Sequence, residues 1–207
     1  QQRGVLAILL AHRGEVVAVD RIVDELWGER PPGTATKTVQ VYVSRLRKLL
    51  PNGALMTRAP GYLLEVGADD LDLLLFERLR ADARAADPHE AARLLHEALA
   101  LWSGPVLGEF EAEAFAPVER RRLEELRLLA LEDRVEADLA VGLHAELIGE
   151  LKALVAEHPH RERLQGQLVV ALYRSGRQAE ALEAYRAARA ALDALGLEPS
   201  AALKQLE

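Results

Sequence analysis

The stretch from Thr34 to Leu50 reads TATKTVQVYVSRLRKLL. Four of its aliphatic residues recur at i, i+4, i+7 and i+11, which is the spacing of a helix side that faces a core. These residues are Val39, Val43, Leu46 and Leu50. Thr34 or Thr36 has a side chain able to cap the start of the helix. We therefore expect a helix over residues 36–50 that buries its aliphatic side.

The opposite side of this helix carries cationic, amide, hydroxyl and small apolar groups but no carboxylate. Its outward positions are Lys37, Val41, Ser44, Arg45 and Lys48, with Thr38, Gln40 and Arg47 at the edges. Cations and hydroxyl groups bind DNA phosphates, whereas amide, guanidinium and small apolar groups read base edges. The face therefore suits a DNA major groove. A merely solvated helix face is the alternative, since that is the usual place of a charge run.

Shorter segments lie on either side of the predicted helix. Apolar spacing predicts two helices ahead of it, over residues 2–11 and 21–27. Behind it, the strand-like runs 55–57 and 62–66 flank a turn that begins at Arg58, which indicates a β-hairpin. Arg58 would project from that hairpin toward a neighbouring phosphate or minor groove. Three helices followed by a hairpin predict a winged helix-turn-helix.

The charge of the chain is unevenly distributed. The whole chain has a net charge of −7, but residues 1–67 hold nine Lys or Arg against six Asp or Glu, a net +3. Residues 68–207 hold 17 basic and 27 acidic residues, a net −10. The stretch from Lys37 to Lys48 has four basic residues and no acidic one. An anionic partner would therefore bind the first segment rather than the second.

The second segment is predicted to be entirely helical. Apolar spacing favours helices over residues 71–86, 90–102 and 117–141. The remainder repeats itself at an interval of 34 residues, which is the tetratricopeptide period. The matched pairs are Gly142 and Gly176, Ala145 and Ala179, Leu147 and Ala181, Leu151 and Tyr185, and Leu154 and Ala188. We expect a mainly α protein, with a winged helix-turn-helix followed by an all-helical, tetratricopeptide-like domain.

Several of these segments resemble a known family. Residues 38–50 and 58–62 resemble the recognition helix and the wing of OmpR/PhoB-type effector domains. Residues 19–28 and the pair Pro31-Pro32 further resemble the Streptomyces antibiotic regulatory protein family, the AfsR-like activators. Residues 70–207 resemble the bacterial transcriptional activator domain of the same family. The resemblance covers nearly the whole chain.

The resemblance implies two domains and a set of contacts. The domains would be a winged-helix DNA-binding domain over 1–67 and a tetratricopeptide-like activator domain over 68–207. Family members carry a small N-terminal sheet, and because Gln1 lies where the sequence resembles the entry to the first helix, we expect that sheet to be absent. The implied DNA contacts are Lys37, Thr38, Val41, Ser44, Arg45, Arg47, Lys48 and Arg58.

The loop between the second and third helices is the second implied contact. In the superfamily this loop touches RNA polymerase, which by resemblance implicates Gly28, Glu29, Arg30 and Gly33. An ordinary turn is the alternative. The family also implies promoter direct repeats in double-stranded DNA, and a helical domain that assembles with a second copy, as a homodimer on DNA, or with RNA polymerase.

Other classes of protein have little support in the sequence. The chain has no cysteine, which excludes disulfides, thiolate metal sites and cysteine nucleophiles, and its six histidines lack a metal-binding spacing. It has no Gly-rich phosphate loop or Gly-x-Ser-x-Gly elbow, so we expect neither enzymatic activity nor a cofactor. No apolar run is long enough to span a membrane, and we expect a cytoplasmic, nucleoid-associated protein.

The sequence thus favours a sequence-specific, DNA-binding transcriptional activator. The alternative is a helical-repeat scaffold whose basic helix binds an acidic protein or RNA polymerase, with weak or no DNA binding.

Overall fold

The computed structural model describes residues 1–67, 70–110 and 113–206. Contacts within the chain define two compact units. Unit 1 contains Gln1–Leu75 and Trp102–Arg127, and unit 2 contains Phe76–Leu101 and Leu128–Glu207. This division assigns residues 102–127 to the first unit, whereas the sequence analysis placed them in the second domain.

Unit 1 contains the three helices and the hairpin that the sequence predicted. Its elements are α1 (Gln2–Ala11), β1 (Val16–Ala18), α2 (Val19–Trp27), α3 (Ala35–Leu46), β2 (Leu55–Arg58) and β3 (Gly61–Leu64), followed later in the chain by a 3-10 turn (Gly108–Phe110). The strands form an antiparallel sheet in the order β1-β3-β2. The predicted winged helix-turn-helix is confirmed, and β1 is a third strand that the sequence analysis did not predict.

Helix α3 is shorter than predicted, because it ends at Leu46 rather than at Leu50. The N–H groups of Lys48 and Leu49 donate to the carbonyls three residues earlier, at 3.1 and 2.9 Å, so the chain tightens into turns. Pro51 follows, and a proline disfavours helical geometry in the residue before it. Lys48 therefore lies in the turn after the helix and not on the helix itself.

The core of unit 1 forms around the aliphatic side of α3. Val39 is fully buried, and Val43 and Leu46 are buried beside it, as the sequence predicted. They pack in one cluster with α1, α2 and the sheet, and Phe115 joins this cluster from the 102–127 segment. The backbone N–H of Phe115 donates to the carbonyl of Glu25 over 3.2 Å. The later segment therefore completes the core of the winged helix.

Apart from the 3-10 turn at Gly108–Phe110, the regular elements among the described residues from 70 onward are α-helices. They are α4 (Asp72–Ala83), α5 (Pro88–Ala100), α6 (Ala116–Ala140), α7 (His144–Glu157), α8 (Glu162–Arg174), α9 (Gln178–Asp193) and the short α10 (Ala201–Lys204). Helices α7 and α9 begin 34 residues apart. Gly142 and Gly176, which precede them, both have positive φ angles of 98° and 76°. The predicted helical domain is confirmed, and its 34-residue repeat corresponds to one helix-turn-helix step.

Charged side chains that are buried or half-buried in unit 2 form ion pairs. Arg134, on α6, donates to Asp138 over 3.1 Å and also contacts Glu150 of α7. Asp133 accepts hydrogen bonds from Arg163 at 2.6 Å and from Arg80 at 2.9 Å. Burial raises the pKa of Asp133, but these two hydrogen bonds outweigh it and the pKa lies below its ordinary value. The pairs with Glu150, Arg163 and Arg80 join α6 to α7, α8 and α4.

Two further findings concern the described residues. None of their helices has the length and apolar character needed to cross a bilayer. They also contain no group of three or more His, Cys, Asp or Glu side chains arranged to hold a metal ion.

Candidate nucleic-acid interface

Helix α3 presents the polar face that the sequence predicted. Lys37, Gln40, Ser44 and Arg45 are exposed, and Val41 lies among them with 48% of its surface accessible. Thr38 is half-buried, and its hydroxyl donates to the carbonyl of Thr34 over 3.0 Å. The separation of the two helix faces is therefore confirmed, although the Thr38 hydroxyl already has a partner within the helix.

Three cations of this face are not neutralised by any described residue. The side chains of Lys37, Arg45 and Lys48 are exposed and make no ion pair or hydrogen bond with any of the residues that the structure describes. In the same unit, Arg21 lies 2.7 Å from Glu25, and Arg3 pairs with an acidic side chain at 3.0 Å. Arg21 and Arg3 are thus offset by carboxylates, whereas these three cations are not, so positive potential remains on and next to the α3 face.

The wing presents a further cation. Arg58 is the last residue of β2 and is exposed, with its Nη2 atom 3.9 Å from the sulfur of Met56. The hairpin it belongs to packs closely on β1, because a Cβ added to Gly61 would lie 1.8 Å from the carbonyl oxygen of Val17. Glycine at position 61 is therefore what allows β1 and β3 to pair.

Arg47 has partners within the protein that sequence analysis missed. Its Nε donates to the carbonyl of Leu55 over 2.9 Å, and its Nη2 donates to Oγ1 of Thr57 over 2.7 Å. The guanidinium carbon also lies 5.9 Å from the centre of the Tyr62 ring. Arg47 was predicted to contact DNA from its place in the basic helix, because nothing in the local sequence indicates that the hairpin folds back against the end of α3.

The loop between α2 and α3 is accessible. Gly28 ends α2 with a positive φ of 60°, and the residues after it are exposed as far as Thr34. Within the described part of the chain, the side chains of Glu29 and Arg30 make no ion pair or hydrogen bond. Glu29, Arg30 and Gly33 are therefore available to a partner.

In the comparison with known proteins, each of the two parts of the chain matches a protein family. Residues 1–64 match the family described as transcriptional regulatory protein, C terminal, and residues 71–207 match the bacterial transcriptional activator domain. The chain belongs to the bacterial transcriptional activator domain family. Within this family, the combination of the two domains confirms the resemblance to the Streptomyces antibiotic regulatory proteins.

Similar proteins of this family are named as regulators rather than as enzymes. The chain is 43% identical to regulatory protein AfsR of Streptomyces griseus over 100% of its own length and 22% of that protein. It is 41% identical to regulatory protein DnrI of Streptomyces peucetius, covering 99% of this chain and 81% of that one. The chain thus spans about a fifth of the AfsR relative and most of DnrI.

A solved structure of this family has the same fold. It is Mycobacterium tuberculosis EmbR in complex with a low affinity phosphopeptide, with a TM-score of 0.92 and 38% sequence identity. The match covers 99% of this chain and 57% of the EmbR chain.

Proposed function

We propose that this chain is a sequence-specific DNA-binding transcriptional activator that inserts α3 into a major groove. The observation that carries the proposal is the polarity of α3, whose aliphatic side is locked in the core while its cations are exposed and unpaired by any described residue. When cations that have no carboxylate partner bind phosphates, counterions are released from the DNA, and this release contributes a large share of the affinity.

The proposed contacts divide into phosphate binding and base reading. Lys37, Arg45 and Lys48 are placed to bind the phosphates that border the groove, or in the case of Arg45 a guanine edge. Val41 offers an apolar surface to a thymine methyl group. Arg58 reaches the flanking backbone from the wing. Thr38 and Ser44 complete the contact set, as hydroxyl groups at the edge and centre of the face.

The partners in transcription are part of the same proposal. We propose binding to promoter direct repeats spaced by about one helical turn, roughly 10 to 11 base pairs, with two copies on DNA. Contact with RNA polymerase would use the loop residues Gly28, Glu29, Arg30 and Gly33. We propose that the boundary between the DNA-binding domain and the helical domain lies between residues 67 and 68. The helical domain would then serve self-association or polymerase contact. The site of action is the nucleoid.

The test is a gel-shift titration of promoter DNA at fixed salt. The double variant Arg45→Ala with Arg58→Ala removes one cation from the helix and one from the wing. Removing a side chain that binds DNA costs about 1–3 kcal/mol, so affinity should fall at least about tenfold. The control is Arg186→Ala, which removes one cation of the same kind from an exposed position of α9, where its side chain makes no hydrogen bond or ion pair with any described residue. Unchanged affinity of the double variant would overturn the proposal.

Salt dependence separates this function from that of a protein-binding scaffold. If Lys37, Arg45, Lys48 and Arg58 each neutralise one phosphate, the slope of log K against log salt is about −3.6 per chain. Affinity should then fall roughly 100-fold between about 50 and 200 mM salt. A scaffold that uses a mainly apolar interface would change little over that range.

A further inference from the structure

Arg47 joins the end of the recognition helix to both strands of the wing. It follows the last residue of α3, and its backbone angles are still helical, with φ −58° and ψ −25°. Two of its nitrogens donate to β2, at Leu55 and Thr57, and its guanidinium lies over Tyr62 of β3. A single side chain therefore connects three elements of the DNA-binding unit.

The contacts of Arg47 hold strand β2 in place next to Arg58, the cation of the wing. Thr57 immediately precedes Arg58, so the hydrogen bond from Arg47 to Thr57 fixes the backbone that carries Arg58. The bond to the Leu55 carbonyl holds the other end of the same short strand. The planar guanidinium donates to the two acceptors from separate nitrogens while it covers a ring, whereas a lysine ammonium has a single nitrogen and no planar face.

We propose that Arg47 is a positioning residue that sets the height of the wing relative to α3, so that Arg58 and the α3 cations reach one DNA segment together. It acts through Arg58 and does not itself neutralise a phosphate. This inference rests on the DNA-binding function proposed above and assigns Arg47 a different role from the one that its place in a basic helix suggests.

A double-mutant cycle on DNA affinity distinguishes the two roles. Affinity for one promoter fragment is measured at several salt concentrations for the intact chain, for Arg47→Gln, for Arg58→Ala and for both together. If Arg47 acts through Arg58, Arg47→Gln weakens binding about tenfold in the intact chain but changes it less than about twofold when Arg58 is already absent. The salt slope of the double variant then equals that of Arg58→Ala.

A direct phosphate contact would give a different pattern. The two effects would add, and the slope would fall by about a further 0.9 in the double variant, which would overturn the proposal. Arg47→Lys is a second test, because a lysine retains a point charge for phosphate but not the two-way bonding. Affinity and slope equal to those of the intact chain in Arg47→Lys would also overturn it.

Two further variants separate positioning from loss of fold and from loss of function. Thr57→Val removes the oxygen that Arg47 binds, keeps every cation and retains a β-branched residue in the strand. Thr57→Val should weaken DNA binding several-fold in the intact chain and have no further effect in a chain that already carries Arg58→Ala. If Thr57→Val acted by destabilising the fold in general, it would weaken binding in both chains. Arg45→Ala combined with Arg58→Ala should give additive effects on affinity. If the intact chain binds DNA and Arg45→Ala weakens it, the proposed function stands whatever the Arg47 cycle gives.

Discussion

Replacing Gly61 with alanine should break the contact between the wing and β1. Gly61 is the first residue of β3 and pairs with Ala18 on one side and with Arg58 on the other. An added Cβ would lie 1.8 Å from the Val17 oxygen, 2.6 Å from its carbonyl carbon and 2.7 Å from Cα of Ala18. All three atoms belong to the backbone, so no side-chain rotation relieves the clash.

The size of the effect follows from how far β1 must move. A carbon and a carbonyl oxygen in contact are about 3.3–3.6 Å apart, so the strands must separate by roughly 1.5 Å. Val17, which is 2% exposed and part of the core, would move with β1. Overpacking costs about 1–3 kcal/mol, and we expect a value near the upper end, about 3 kcal/mol. For a unit of this size, that lowers the melting temperature by roughly 10–20 °C.

Calorimetry and amide hydrogen exchange measure the effect. Calorimetry gives the melting temperature of unit 1, and exchange at residues 16–18 reports whether β1 stays paired. The matched control is Gly33→Ala, in an exposed loop where an added Cβ meets nothing within 4 Å, and it should change stability by less than about 0.5 kcal/mol. Melting of Gly61→Ala within about 2 °C of the unchanged chain, with β1 still protected, would refute the reasoning.

Three other perturbations address the rest of the fold. Gly149→Ala, on the exposed side of α7 with open space at Cβ, should stabilise unit 2 by about 0.5–1 kcal/mol in urea unfolding, and a decrease in stability would contradict this. Phe115→Ala should destabilise unit 1 by about 3–5 kcal/mol in the same assay, and no change would mean that its ring is not part of the core. Hydrogen bonds from Arg177 and Lys152 lower the pKa of Glu180 from 4.5 to about 2, so its contribution to stability is present above pH 4.5 and disappears as the pH falls through 2. Carbon NMR titration should show that pKa, and Lys152→Met should move it upward.

Local patterns were sufficient for the helices and for the faces of α3. The spacing of Val39, Val43 and Leu46 carried enough information because each buried position depends only on the 3.6-residue period of the helix. The 34-residue repeat was readable for a similar reason, since successive repeats bury equivalent positions. The predicted orientation of Lys37 and Arg45 followed directly from the buried side.

The elements that the sequence analysis missed depend on distant partners. Strand β1 is only three residues long, too short to show alternation, and it exists because Gly61–Leu64 lies beside it. Helix α3 stops early because of turns that precede Pro51, although the apolar spacing continues to Leu50. The role of Arg47 depends on a hairpin that begins eight residues later. None of these contacts leaves a periodic signal.

Because Phe115 belongs to unit 1 but lies between two segments of unit 2 in the chain, the winged-helix unit cannot be exchanged as one continuous piece. A hybrid protein that grafts residues 1–67 onto a foreign effector domain would leave a hole beside Glu25, where the Phe115 backbone now donates its hydrogen bond. A working graft therefore has to bring residues 102–127 along, or supply an aromatic residue from the recipient. A single crossover after the wing would likewise separate Phe115 from α2, where the Glu25 carbonyl accepts its hydrogen bond.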